Sequence, residues 1–176
     1  MTKKVYIFRG GPASGKSTLS QLFCEQLDKP VALIEQDRMR WGFHVIGRDI
    51  SEISEAEHRF ANRNAMMLFE EYLKNGDYTI VIEGLFTLDD PASSQGSTYE
   101  YKWVVEKYGY QPVMILLKAD KNELWSRNQT REYSVPEDEF NRLYENVYRK
   151  CGDDEMLIDS TGQSTEDTLR SLRSLN

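Results

Sequence analysis

Gly10-Gly11-Pro12-Ala13-Ser14-Gly15-Lys16-Ser17 is the stretch whose reading decides the fold. It fits the pattern G-x-x-x-x-G-K-[ST] at every defined position. It also lies between an apolar run, Val5 to Phe8, and a segment with Leu19, Leu22, Phe23 and Leu27 at helical spacings of three and four. Strand, glycine-rich turn and helix is the context in which such a loop can work. Its backbone N–H groups must turn inward around phosphate oxygens. That favours glycine where a side chain would clash or φ must be positive, and Gly10, Gly11 and Gly15 meet the need. The helix start adds positive partial charge, Lys16 supplies an ammonium for the β and γ phosphates, and the Ser17 hydroxyl is a ligand for Mg²⁺. Gly10, Gly11, Pro12, Ala13, Ser14, Gly15, Lys16 and Ser17, with Thr18 as a further hydroxyl, thus read as a cradle for a nucleoside triphosphate and magnesium. The competing reading is an ordinary glycine-rich turn.

Outward from this loop, apolar runs and helical patterns alternate to the end of the chain. A second run, Val31 to Ile34, ends at Glu35-Gln36-Asp37 and opens a long connection with Arg38, Arg40, Trp41, Phe43, His44 and Arg48. Ser54 and Glu57 form a capping box for a helix with Phe60, Ala61, Met67, Leu68, Tyr72 and Leu73 as its buried stripe, ending near Asn75-Gly76. A third run, Tyr78 to Ile82, stops at Glu83-Gly84. A polar loop, Leu88 to Ser97, follows, and Ser97 with Glu100 caps a short helix that contains Trp103 and Val104 and closes at Gly109. Pro112 to Leu117 is the fourth run. Asp120 and Glu123 begin the next helix, and after Pro136 another carries Phe140, Leu143, Tyr144 and Val147 at i, i+3, i+4 and i+7. Met156 to Ile158 is the fifth run, with Asp159-Ser160-Thr161-Gly162 behind it and Leu169, Leu172 and Leu175 marking a last helix. The pattern predicts an α/β fold: five strands in a mostly parallel sheet with helices on both faces.

The 176 residues are enough for one domain with a full core, spanning 1–176. No apolar run approaches the ~20 residues of a membrane span, and Val5 to Phe8 is too short for a signal peptide, so a cytoplasmic, membrane-free protein is expected. Cys24 and Cys151 lie far apart, which indicates neither a disulfide framework nor a zinc site. With 22 Lys and Arg against 29 Asp and Glu, the net charge of −7 counts against non-specific nucleic-acid binding.

Glu83 ends a strand at the carboxyl edge, where α/β sheets gather their chemistry, and is the natural second group for the metal beside Ser17; otherwise it is a solvated strand-end acid. Asp37 has the same position after the second strand, with a helix cap as its alternative. Arg127 and Arg131, four apart on a predicted helix, can project from one face and clamp a phosphate; alternatively they pair with Glu123 or Glu132 on an exposed face. Trp41 and Phe43 suit either an aromatic acceptor or simple packing of the connection.

These residues together resemble the small P-loop kinases of the superfamily that includes zeta toxins, chloramphenicol phosphotransferase and the kinase domain of polynucleotide kinase. The general part of the resemblance is residues 10 to 18 with an acid after the second strand. The more specific part is Asp37-Arg38-Met39-Arg40 and Arg127-Asn128-Gln129-Thr130-Arg131 followed by Val135-Pro136. The resemblance implies a three-layer P-loop NTPase sandwich with a helical lid at about 125–137, ATP or GTP as donor, and Mg²⁺. It makes Asp37 the base, Lys16, Arg127 and Arg131 catalytic groups on the phosphates, and Arg40 a contact for the acceptor. Gln36 and Glu83 depart from the polynucleotide kinase pattern, where acid and Asp are frequent. Three functions follow: a kinase of a small hydroxyl-bearing molecule, which leads; a 5′-hydroxyl polynucleotide kinase, with nucleic acid as acceptor; and a nucleotide-binding regulatory NTPase with slow hydrolysis. The sequence names no protein partner, and the third reading would act through one.

Overall fold

Uninterrupted apolar runs suit the inner strands of a parallel sheet, whose two faces are covered by helices, while at the sheet's edge Leu157 stays 50% exposed. The computed structural model describes residues 3–27, 30–41 and 53–173, with only the backbone at 40 and 41. Its elements are β1 (Lys4–Gly10), α1 (Lys16–Cys24), β2 (Val31–Glu35), α2 (Gln36–Trp41), α3 (Glu55–Asn75), β3 (Thr79–Gly84), α4 (Thr98–Lys107), β4 (Gln111–Lys118), α5 (Lys121–Gln129), α6 (Glu137–Tyr148), β5 (Glu155–Asp159) and α7 (Thr165–Leu172). All pairings are parallel, in the order β2-β3-β1-β4-β5. The strands outrun their apolar centres because polar end residues keep pairing: Glu83 lies opposite both Phe8 and Glu35.

Alternate residues of the sheet feed two cores. Ile7, Ile34 and Ile82 pack with Ala65, Phe69 and Leu73 of α3 and Tyr101 and Val105 of α4. Tyr6, Phe8, Val81 and Leu117 pack on the other face with Leu19 and Phe23 of α1 and Leu169 and Leu172 of α7. Both expected capping boxes form, Ser54 with Glu57 and Ser97 with Glu100, and Gly76 ends α3 with φ 68°.

Several local expectations give way to packing. The buried stripe of α3 is Ala61, Ala65, Phe69 and Leu73, whereas Phe60 and Met67 are 46% and 70% exposed. Two alanines let the helix lie close to its neighbours, and no apolarity count distinguishes that face from the one carrying Phe60. Trp103 is 62% exposed while Tyr101, Val104 and Val105 turn inward. Leu27 falls beyond the end of α1, and the connection after β2 begins with a short helix, α2, that the sequence reading leaves as loop. Phe43, His44, Arg48 and Leu175 lie outside the described residues.

Arg9, in the central strand, is fully buried and carried no signal of its own in the sequence. Its Nε donates to Glu155 Oε1 at 2.5 Å, and one terminal nitrogen donates to Glu155 Oε2 at 2.6 Å and to the Lys150 carbonyl at 2.8 Å. The other donates to the Val147 carbonyl. Glu155 Oε2 also accepts the Gly152 N–H at 2.8 Å. Such a pair ties β1, the end of α6 and the start of β5 into one unit, and its loss leaves a buried charge unmatched. Arg9→Met is therefore expected to lose about 3–5 kcal/mol of stability in urea unfolding, with Arg9→Met/Glu155→Met recovering most of it. A double variant as unstable as the single one would contradict this account.

Candidate active site

The loop from Gly10 to Ser17 leaves the carboxyl end of the central strand, so neighbouring strand ends flank it on both sides. A Cβ on Gly10 would meet the Leu117 carbonyl at 2.9 Å, and Gly15 has φ 84°, a left-handed conformation that glycine adopts without strain. Ala13 also takes a positive φ, 60°, which the sequence does not announce. Gly15 is the N-cap of α1 but has no side chain to offer. The first turn contains no acid, so the helix's opening N–H groups and dipole remain available to an anion.

On the β2–β3 side of the loop the acidic residues gather. The Ser17 hydroxyl donates to Glu83 Oε1 at 3.0 Å, and Lys16 Nζ stands 4.0 Å from Glu83 Oε2. Lys16 and Glu83 are both buried, and Oε2 has no hydrogen-bond partner among the described residues. Burial, the largest cause, pushes the Glu83 carboxyl up to about 7; Lys16 opposes this, the Asp37 charge adds to it, and the Ser17 hydrogen bond opposes it. Asp37 is half-buried in the first turn of α2, near enough for its charge to act on Glu83.

Gln36, next to Asp37, is fully buried and donates from Nε2 to Asn62 Oδ1 and to the Gln95 carbonyl, both at 2.8 Å. Tyr101 donates to the same Asn62 oxygen at 3.2 Å. These contacts seat α2 against α3 and the connection after β3. Isolated polar residues gave no sequence signal for them. Arg40 lies in α2, and its side chain is outside what is described.

The β4–β5 side holds a cavity of about 330 Å³, lined by Ala13, Gly15, Thr18, Arg127, Ser160 and Thr165 among others. Arg127 reaches it from α5, paired with Glu123 and donating to the Ser160 carbonyl at 3.1 Å. Glu123 also accepts the Gly162 N–H at 2.9 Å. Arg131 does not share that face. α5 ends at Gln129, and Arg131 sits exposed in the connection to α6. The reason is Asn128, which is buried and bonds both the N–H and the carbonyl of Val135, at 3.0 and 2.8 Å, drawing the chain into a turn.

Ser17 and Glu83 offer hard oxygen donors, and Oε2, with no hydrogen bond among the described residues and Lys16 Nζ 4.0 Å away, is a place where a further cation lowers the energy of a buried carboxylate. Among the described residues no group of three or more His, Cys, Asp or Glu forms a cage. Mg²⁺ at a nucleotide site needs none, since phosphates and water complete its shell.

The family profile described as an AAA domain matches residues 5–149. No curated protein matches the chain by sequence. A Chloroflexus aurantiacus protein provisionally described as a kinase is similar in structure, with a TM-score of 0.67, 20% identity, and 99% of this chain and 98% of that one covered. A gluconokinase from Sinorhizobium meliloti aligns over 98% of this chain and 91% of its own, at a TM-score of 0.64 and 13% identity. A chain of the Pnkp1/Rnl/Hen1 RNA repair complex aligns over 84% of this chain and 45% of its own, at 0.62 and 17% identity. The shared fold is the α/β P-loop NTPase sandwich.

The Glu83 carboxyl makes a pH dependence calculable. A folded pKa near 7 against 4.5 unfolded means the native state favours the protonated form. Its contribution is therefore full below about 4.5 and lost as pH rises to about 7, by up to ~3 kcal/mol. Glu83→Gln, which keeps the neutral form, should match the ligand-free wild type in urea unfolding near pH 4.5 and exceed it above pH 7. A stability difference that stays constant across that range would rule out a raised Glu83 pKa.

Proposed function

The chain belongs to the AAA domain family matching its residues 5–149, and from that premise we propose that it is a kinase transferring the γ-phosphate of ATP or GTP to a hydroxyl of a small molecule. The observation that carries this reading is the meeting of Lys16, Ser17, Glu83 and Asp37 at one end of the sheet, around an uncapped helix start. A site that only bound nucleotide would not need the last of these.

In this reading the loop N–H groups and Lys16 hold the β and γ oxygens, while the cavity on the β4–β5 side takes the nucleoside half. Asp37 orients the acceptor hydroxyl and receives its proton late. The oxygen forms its bond to the γ phosphorus as the bond to the β-bridging oxygen breaks, and nucleoside diphosphate leaves. Ser17 would ligate Mg²⁺ directly, with Glu83 accepting from its hydroxyl or from a metal-bound water. When bound, the ion supplies charge neutralisation across the β and γ phosphates. Arg127 stands at the nucleotide, and Arg131, exposed in the connection 130–136, is the group that closure of the lid, about 125–137, would bring onto the phosphates.

The acceptor is the open part. Structures of similar closeness include a gluconokinase and a chain of an RNA repair complex, so the shared fold does not choose between sugar-like and polynucleotide acceptors. The charge of −7 favours the small acceptor. The test is transfer of labelled γ-phosphate from ATP to a panel of sugars, hydroxylated antibiotics, nucleosides and 5′-hydroxyl oligonucleotides. Label is expected on a small acceptor, falling roughly 10²- to 10⁴-fold in Asp37→Asn while nucleotide binding persists, and falling with binding in Lys16→Ala. Label on oligonucleotides, weakening steeply with salt, would favour the polynucleotide reading. Free phosphate alone, unchanged in Asp37→Asn, would favour a regulatory NTPase.

A further inference from the structure

The last residue of α6, Tyr148, lies against the phosphate loop from below. Its hydroxyl accepts the Gly11 N–H at 2.9 Å and donates to the Leu117 carbonyl at 2.8 Å. A Cβ on Gly11 would meet the Tyr148 ring edge at 2.8 Å, so ring and loop are already in close contact. Burial pushes the phenol up to about 12, which leaves it neutral and able to do both jobs at any ordinary pH.

Tyr148 also ends a continuous row of rings. Trp125 of α5 packs on Phe140 with centroids 5.1 Å apart, Phe140 on Tyr144 at 6.2 Å, and Tyr144 on Tyr148 at 4.7 Å. Phe140, Tyr144 and Tyr148 are spaced by four, so one face of α6 carries all three. The next residue back, Val147, gives its carbonyl to the buried Arg9, which anchors this end of the helix to the central strand. The row therefore runs without a gap from the segment carrying Arg127 to a backbone amide of the phosphate loop.

We propose that Tyr148 is a positioning residue through which helices α5 and α6 set the shape of the phosphate loop, so that nucleotide affinity depends on the aromatic row although none of its rings lines the nucleotide cavity. This rests on the reading of residues 10–17 as a phosphate cradle. A phenol is suited to the task because it bonds two backbone groups at once, one on the loop and one on β4. A phenylalanine fills the same volume and bonds neither.

The experiment is calorimetric titration of the full chain with Mg²⁺-ATP and with adenosine, for the wild type, Tyr148→Phe, Trp125→Ala and the double variant. Tyr148→Phe is expected to weaken ATP binding roughly 3- to 10-fold, the range of one to two lost hydrogen bonds acting in part on the ligand, and to leave adenosine affinity unchanged. Trp125→Ala should weaken ATP in the wild-type background and add little in Tyr148→Phe, since the two lie on one path. In transfer assays Tyr148→Phe should raise the nucleotide KM and leave the acceptor KM alone. A Tyr148→Phe protein that unfolds earlier yet binds ATP normally overturns the proposal, as do fully additive losses in the double variant. Should Tyr148→Phe not fold, Tyr144→Ala removes the ring packed 4.7 Å from Tyr148, outside the cradle, and is expected to give the same selective loss of ATP affinity; equal ATP binding there overturns the proposal. If the wild type itself takes up no ATP, the cradle reading fails first and this inference with it.

Discussion

Burial of a guanidinium inside the central strand is the constraint on which the rest of this structure depends. Arg9 immediately precedes the phosphate loop, and its charge is tolerable only because Glu155 and the carbonyls of Val147 and Lys150 surround it. Those partners come from the end of α6 and the start of β5, which the pair joins to the end of β1. The pair thus fixes where the loop begins and where α6 stops. Tyr148 is held under the loop for the same reason, being the neighbour of a residue that Arg9 grips.

The loop in turn divides the carboxyl edge of the sheet. Because β1 is central, β2 and β3 lie to one side of it and β4 and β5 to the other. Two acids stand on the first side, Glu83 with Lys16 4.0 Å away and Asp37 near enough for its charge to act on Glu83, and a basic group, Arg127, reaches the second. The Asp37 charge, added to burial, raises the energy of the ionised Glu83 carboxylate. The polar contacts of Gln36 with Asn62 and Gln95 hold the acidic side in place from behind.

Much of this was legible in one dimension. The loop pattern located its own strand and helix, and the capping boxes at Ser54 and Ser97 and the glycine at 76 marked helix ends, because caps are made by residues within a turn of each other. Glu83 and Asp37 were placed at the carboxyl ends of β3 and β2 because the end of a strand is visible as the end of an apolar run. Arg127 and Arg131 were read as one clamp because both were assumed helical, and the buried amide of Asn128 separates them by bonding Val135 instead. The α3 stripe was misread for a related reason. Apolar residues were counted without regard to size, and close packing selected alanines over Phe60 and Met67.

The sequence by itself determined the local grammar: the five strands, most of the helices, the glycine-rich loop between β1 and α1, and which acids stand at strand ends. These follow from periodicity, capping and glycine geometry, all of which act over a few residues. Only the tertiary structure decided the strand order β2-β3-β1-β4-β5, the burial of Arg9 with a partner 146 positions away, the raised Glu83 carboxyl and the seating of Tyr148 beneath Gly11. Each of these depends on which distant segments become neighbours. A charge or hydroxyl takes its energy from the groups that surround it in space, and the order of residues along the chain does not name them.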